Sequence, residues 1–136
     1  MSGARIISQA SPQILVSMPG WRMAVMVRVQ GSFSGGVFTP VAAATSLGCS
    51  ITSVGSGVFN LNFPACRRIG MFLGNVAPVT VAAAANHRTF SFQSAIDSRA
   101  AAGLIVFRTV SLANPPAVAD PENGSGMEVT WWADYS

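Results

Sequence analysis

Along most of this chain the apolar residues recur at every second position, which is the period of a β-strand. In residues 22–30, RMAVMVRVQ, Met23, Val25, Val27 and Val29 fall on one face, with Arg22, Arg28 and Gln30 on the other. In VFNLNF, Phe59, Leu61 and Phe63 alternate with Asn60 and Asn62. TFSFQSAI sets Phe90, Phe92 and Ile96 against Ser91 and Gln93. The last segment, MEVTWWADY, sets Met127, Val129, Trp131, Ala133 and Tyr135 against Glu128, Thr130, Trp132 and Asp134. QILVSM, RRIGMFLGNV and GLIVFRTVSL alternate less strictly, as strands covered on both faces do.

Glycine, proline and asparagine punctuate these runs, in MPGW, GSFSGG, GSG, PACR and ANPPAVADPENGSG. Many short strands between turn signals, with no long amphipathic helix, predict an all-β fold: a jelly-roll-like β-sandwich or barrel spanning residues 1–136 as one domain. Residues 1–20 read either as an extended N-terminal arm or as the first strands of the sandwich. A short helix or loop is expected at AIDSRAAAG, with Asp97 and Ser98 placed to cap it, and a single helical turn at VAAAANHR. The proline-rich stretch 113–126 is too long for a tight hairpin, so it reads as a projecting tip or an inter-subunit contact. Its Asp120 and Glu122 are weak candidates for a cation, with a solvated turn the stronger reading.

Composition changes the picture in one respect. Half of the 136 residues are hydrophobic and 10% are charged, and the mean hydropathy is +0.45. No run approaches the ~20 apolar residues of a membrane helix, and the first residues lack the pattern of a secretory signal. The apolar excess is therefore expected to be hidden against protein, part of it at subunit interfaces. The net charge of +3 comes from eight arginines and no lysine, and only Arg67 and Arg68 are adjacent. A nucleic-acid binder concentrates its cations on one face, so no direct nucleic-acid partner is expected. Scattered arginines suit structural or interface pairing through a planar guanidinium.

Candidate chemistry is sparse. Cys49 and Cys66 are too few for a zinc site; they could pair if two strands bring them together, but are expected to be buried free thiols. His87 is the only histidine, without a nucleophile or orienting carboxylate nearby in sequence. VGSGVF lacks the spacing of a nucleophile elbow, and GSFSGG lacks the lysine of a phosphate loop. No enzyme activity, cofactor or metal is expected. Trp131 and Trp132 are neighbours on a strand and point to opposite faces. One is core, together with Phe59, Leu61 and Phe63. The other suits a subunit interface, or, beside Thr130 and Asp134, stacking on a sugar ring.

In order, the elements SVGSGVFNLNFPACRRI, FSFQSAIDSRAAAGLIVFRTV and ADPENGSGMEVTWW resemble a class of small β-sandwich virion proteins of tailed bacteriophages, over about 85 residues. Residues 1–45 depart from that pattern. The resemblance implies a capsid decoration, or cement, protein made in the host cytoplasm and located on the capsid surface. Its partner is then the major capsid protein, and a homo-oligomer, a trimer by preference, is expected. Candidate capsid or subunit contacts are Arg5, Ile7, Ile14 and Val16 in the N-terminal segment, the neutral amides Asn60, Asn62 and Gln93, and Arg67, Arg68 and Arg99. An amide hydrogen-bonds across an interface without the desolvation cost of an ion. The rival readings are a receptor- or glycan-binding module of a head fibre or tail, an unrecognised wall-degrading enzyme using His87 and Asp97, and a host β-sandwich with no viral role.

Overall fold

The computed structural model describes residues 19–80 and 84–135. It is a β-sandwich of two four-stranded antiparallel sheets. The strands are β1 (Ala24–Ser34), β2 (Val37–Pro40), β3 (Ser50–Gly55), β4 (Val58–Asn62), β5 (Arg68–Ala77), β6 (Arg88–Phe92), β7 (Leu104–Ser111) and β8 (Ser125–Asp134), with one short helix, α1 (Asp97–Ala102). Sheet A has the order β2-β1-β8-β5 and sheet B the order β3-β4-β7-β6. The N-terminal segments RIISQ and QILVSM, read from the sequence as an arm or as first strands, lie outside the described residues.

Local sequence accounts for the hairpins. Ser34 pairs with Val37 across Gly35-Gly36, both at positive φ, which is the two-residue turn whose twist matches the flanking strands. Alternation then carries one face of each strand inward. Val27, Val29 and Phe33 of β1 meet Met127, Val129, Trp131 and Ala133 of β8 in the core, together with Phe59 and Leu61 of β4 and Ile105 and Phe107 of β7.

Aromatic rings tie the two layers together. Phe33 meets Phe59 edge-on at 5.7 Å, and Phe59 stacks on Phe107 at 5.3 Å. Phe107 continues to Phe92 at 5.4 Å, Phe92 to Phe72 at 5.1 Å, and Phe72 to Trp131 at 5.8 Å. Each such contact adds about 0.5–1.5 kcal/mol beyond the area it buries. The chain of rings crosses the sandwich from sheet A to B and back.

Four expectations are corrected by the strands themselves. RRIGMFLGNV is not covered on both faces: it forms the edge strand β5, and its alternation breaks at a bulge between Gly70 and Leu73, where Met71 takes φ 56°. GLIVFRTVSL alternates strictly once Thr109 and Ser111 are counted as inward residues. The α1 helix begins after Ile96, with no side-chain cap bond from Asp97 or Ser98. Ile96 is exposed and lies beyond β6, off the Phe90–Phe92 face. The single turn in VAAAANHR is present as a 3-10 turn at Ala84–Asn86.

Candidate functional site

The two inward faces are spent on the core, so anything this domain recognises meets an outer face or a sheet end. At one end of sheet A, Asp134 sits on the outer side of β8 yet is wholly buried. Its carboxylate accepts the Arg22 N–H at 3.0 Å and the Met23 N–H at 3.3 Å, and Arg67 Nε lies 3.4 Å away as an ion pair. Arg67 and Arg68 both donate to the Gly20 carbonyl, Arg68 at 2.7 Å, and Arg68 also faces Asp97 at 3.8 Å. These contacts hold residues 20–23 across the end of the sheet. The basic pair expected to reach a partner is therefore engaged inside its own chain. Arg99 donates to the Ser94 carbonyl at 2.6 Å.

Next to this lid the outer face of sheet A is apolar. Met26, Trp132 and Gly70 lie side by side on β1, β8 and β5. The Trp21 ring rests over Gly70, and Leu73 follows one row along, beside Thr130. Met26 is 55% exposed and Leu73 70%, while Trp21 and Trp132 are half-buried. Further along the same face Arg28 pairs with Glu128 and donates to Gln30. There a shallow groove of about 100 Å³ lies over Gly126, lined by Gln30, Asn75 and Glu128.

The outer face of sheet B is different in kind. By register it carries Ser50 and Thr52 of β3, Val58, Asn60 and Asn62 of β4, Leu104, Val106, Arg108 and Val110 of β7, and Thr89 and Ser91 of β6. Gln93 extends β6: its N–H donates to the Val106 carbonyl and its side-chain oxygen accepts the Val106 N–H at 3.0 Å. The predicted amides Asn60, Asn62 and Gln93 thus share one face. Asn62 donates to Thr52 at 3.5 Å. Sequence reasoning missed the one charge among them, Arg108. Its position opposite Ser91 on β6 and Val58 on β4 was legible only through the register.

The proline-rich stretch is folded back against the sandwich. Asp120 accepts the Gly57 N–H at 2.7 Å, and Glu122 accepts the Thr80 N–H at 2.7 Å. Asn123 accepts the Gly35 N–H at 2.8 Å, and Ala119 exchanges bonds with Thr109. Both carboxylates, the weak candidates for a cation, accept backbone N–H groups here. Among the described residues no three His, Cys, Asp or Glu side chains group as metal ligands, and no helix is long and apolar enough to cross a membrane.

Cys49 and Cys66 are free thiols, half-buried against the core. Burial pushes both up to about 11, and for Cys49 the neighbouring Cys66 adds to the effect. Burial, with both thiols nearby, likewise pushes Tyr135 up to about 12. His87 sits just before β6, its carbonyl accepting from Leu112 and Arg88. Of the other predicted contacts, Arg5, Ile7, Ile14 and Val16 lie outside the described residues. Comparison with family models, curated proteins and solved structures finds no match to this chain.

Proposed function

We propose that this chain is a non-enzymatic virion structural protein of the capsid decoration type, acting through protein–protein contacts with copies of itself and with the major capsid protein. The observation that carries the reading is the apolar end of the outer face of sheet A. A sheet face turned to water is normally polar, whereas contiguous exposed apolar surface marks an interaction site. Here Trp132 lies between Met26 and the Gly70 over which the Trp21 ring rests, with Leu73 one row along beside Thr130. The bordering Arg28–Glu128 pair adds no net charge to the face. Assembly on a capsid surface, as a trimer in the resembled class, requires area and shape rather than a reactive group.

The test is native mass spectrometry of the wild type and of the Met26→Glu/Leu73→Glu variant at micromolar concentration. Trimeric wild type and monomeric variant, with the same circular dichroism, are the expected results. A wild type that is monomeric and does not co-sediment with empty capsids defeats the reading. A second reading, glycan binding, rests on the same two tryptophans and on the polar groove of Gln30, Asn75 and Glu128 further along the same face. Aromatic faces and convergent polar groups are what a sugar ring requires, and a glycan array separates the two.

A further inference from the structure

We propose that the outer face of sheet B, centred on Arg108, is a docking site for an acidic segment of a partner protein. The inference concerns the sheet opposite the apolar patch and holds whether or not the chain decorates a virion.

The argument begins with charge. The chain has five acids. Glu128 and Asp134 are on β8 in sheet A, Asp97 is on α1, and Asp120 and Glu122 are in the stretch before β8. None stands on the outer face of sheet B, where Arg108 is exposed. Among the described residues no hydrogen bond or ion pair reaches its guanidinium, whereas Arg28, Arg67, Arg68, Arg88 and Arg99 all have partners. An arginine presents donors in a planar fork that matches a carboxylate. Left without a partner on a face free of acids, it favours an anionic group.

The surroundings fit one. Ser91 lies directly across from Arg108, and with Phe92, Gln93 and Val106 the two line an open trough of about 280 Å³. Because the Gln93 oxygen is occupied by the Val106 N–H, its amide nitrogen remains as a donor. The polar groups left around the guanidinium are thus a hydroxyl and an amide N–H. The half-buried Val58 and Val106 flank it, offering apolar surface to the methylenes of an acidic side chain. The trough is smaller than the ~300–1,000 Å³ typical of drug-sized ligand sites, and it is open along β6, the edge strand of sheet B. A side chain carried on an extended segment suits that shape. The neutral amides Asn60 and Asn62 continue the face and give such a segment hydrogen bonds without opposing its charge.

The test uses the full ¹⁵N-labelled chain, titrated with the peptide acetyl-Gly-Glu-Asp-Glu-Gly-amide and, separately, with its neutral counterpart acetyl-Gly-Gln-Asn-Gln-Gly-amide. The acidic peptide should bind saturably, with a dissociation constant on the order of 1 mM or tighter. Shifts should centre on the Arg108 side-chain N–H and the amides of Ser91, Gln93 and Val106, and should weaken as salt rises. Arg108→Gln should bind at least tenfold more weakly, with the rest of the spectrum unchanged. Equal binding of the neutral peptide, shifts centred elsewhere or no binding overturns the proposal, as does wild-type affinity in Arg108→Gln. Inorganic phosphate binding as tightly as the peptide also overturns it, by making the site one for free anions.

Discussion

Gly74 of β5 should not tolerate an added methyl group, and the consequence can be sized from the structure. A Cβ at Gly74 would lie 1.6 Å from Phe90 Cδ2, 2.3 Å from Cε2 and 2.5 Å from Cγ. Three atoms of one ring are too close together for a small adjustment, so Gly74→Ala must drive the ring away. Phe90 would then lose its packing on Phe107, at 5.2 Å, and on Phe92, at 5.8 Å. Overpacking costs about 1–3 kcal/mol, and each aromatic contact adds about 0.5–1.5 kcal/mol. Because Phe90 is half-buried on an edge strand, it can swing toward solvent, which holds the total to about 2–3 kcal/mol.

For a chain of this size each kcal/mol moves Tm by roughly 3–5 °C, so thermal unfolding followed by circular dichroism should shift down by about 6–15 °C. The sign is informative, because replacing glycine within a strand by alanine otherwise stabilises by a few tenths to ~1 kcal/mol. Gly55→Ala is the control: its nearest neighbour is Val58 Cβ at 3.8 Å, and it should stay within ~0.5 kcal/mol of wild type. With Phe90→Ala as background the clash disappears, so Gly74→Ala should then cost almost nothing. A Gly74→Ala protein as stable as wild type, or strict additivity with Phe90→Ala, refutes the argument.

Two further outcomes follow from the titrating groups. The Thr80 N–H bond holds the Glu122 carboxyl below its ordinary 4.5. Since the folded value is depressed, this tether contributes fully above 4.5 and is lost as pH falls through the lower folded value. An NMR titration should give the Thr80 amide a midpoint below 4.5 that vanishes in Glu122→Gln, and a midpoint at or above 4.5 defeats the assignment. The thiols, raised from 9.0 to about 11, carry about 100-fold less thiolate at pH 8 than an ordinary cysteine. Since a thiolate of higher pKa is also the stronger nucleophile, iodoacetamide should alkylate the native chain on the order of 10-fold more slowly than the urea-unfolded chain, and comparable rates would show that burial does not raise the thiols.

Period-two spacing was enough to predict the fold class and the core, because alternation along an extended chain is a local property. Phe59, Leu61, Phe63 and Trp131 are buried as that pattern requires. The pattern could not say which polar position is covered: Asp134 reads as an outward residue, and it is buried where the backbone N–H groups of Arg22 and Met23, more than 100 positions away, donate to it. It could not separate the arginines either. Arg67 and Arg68 look free in sequence and are engaged by Gly20 and Asp134, while Arg108 looks like an interruption in an apolar run and has no partner among the described residues. The sequence by itself determined that strands form and, for β1, β4, β6 and β8, which side faces inward. Only the tertiary structure decided which strands are neighbours, and with them which charges are neutralised, because register and sheet order depend on contacts between residues far apart in the chain.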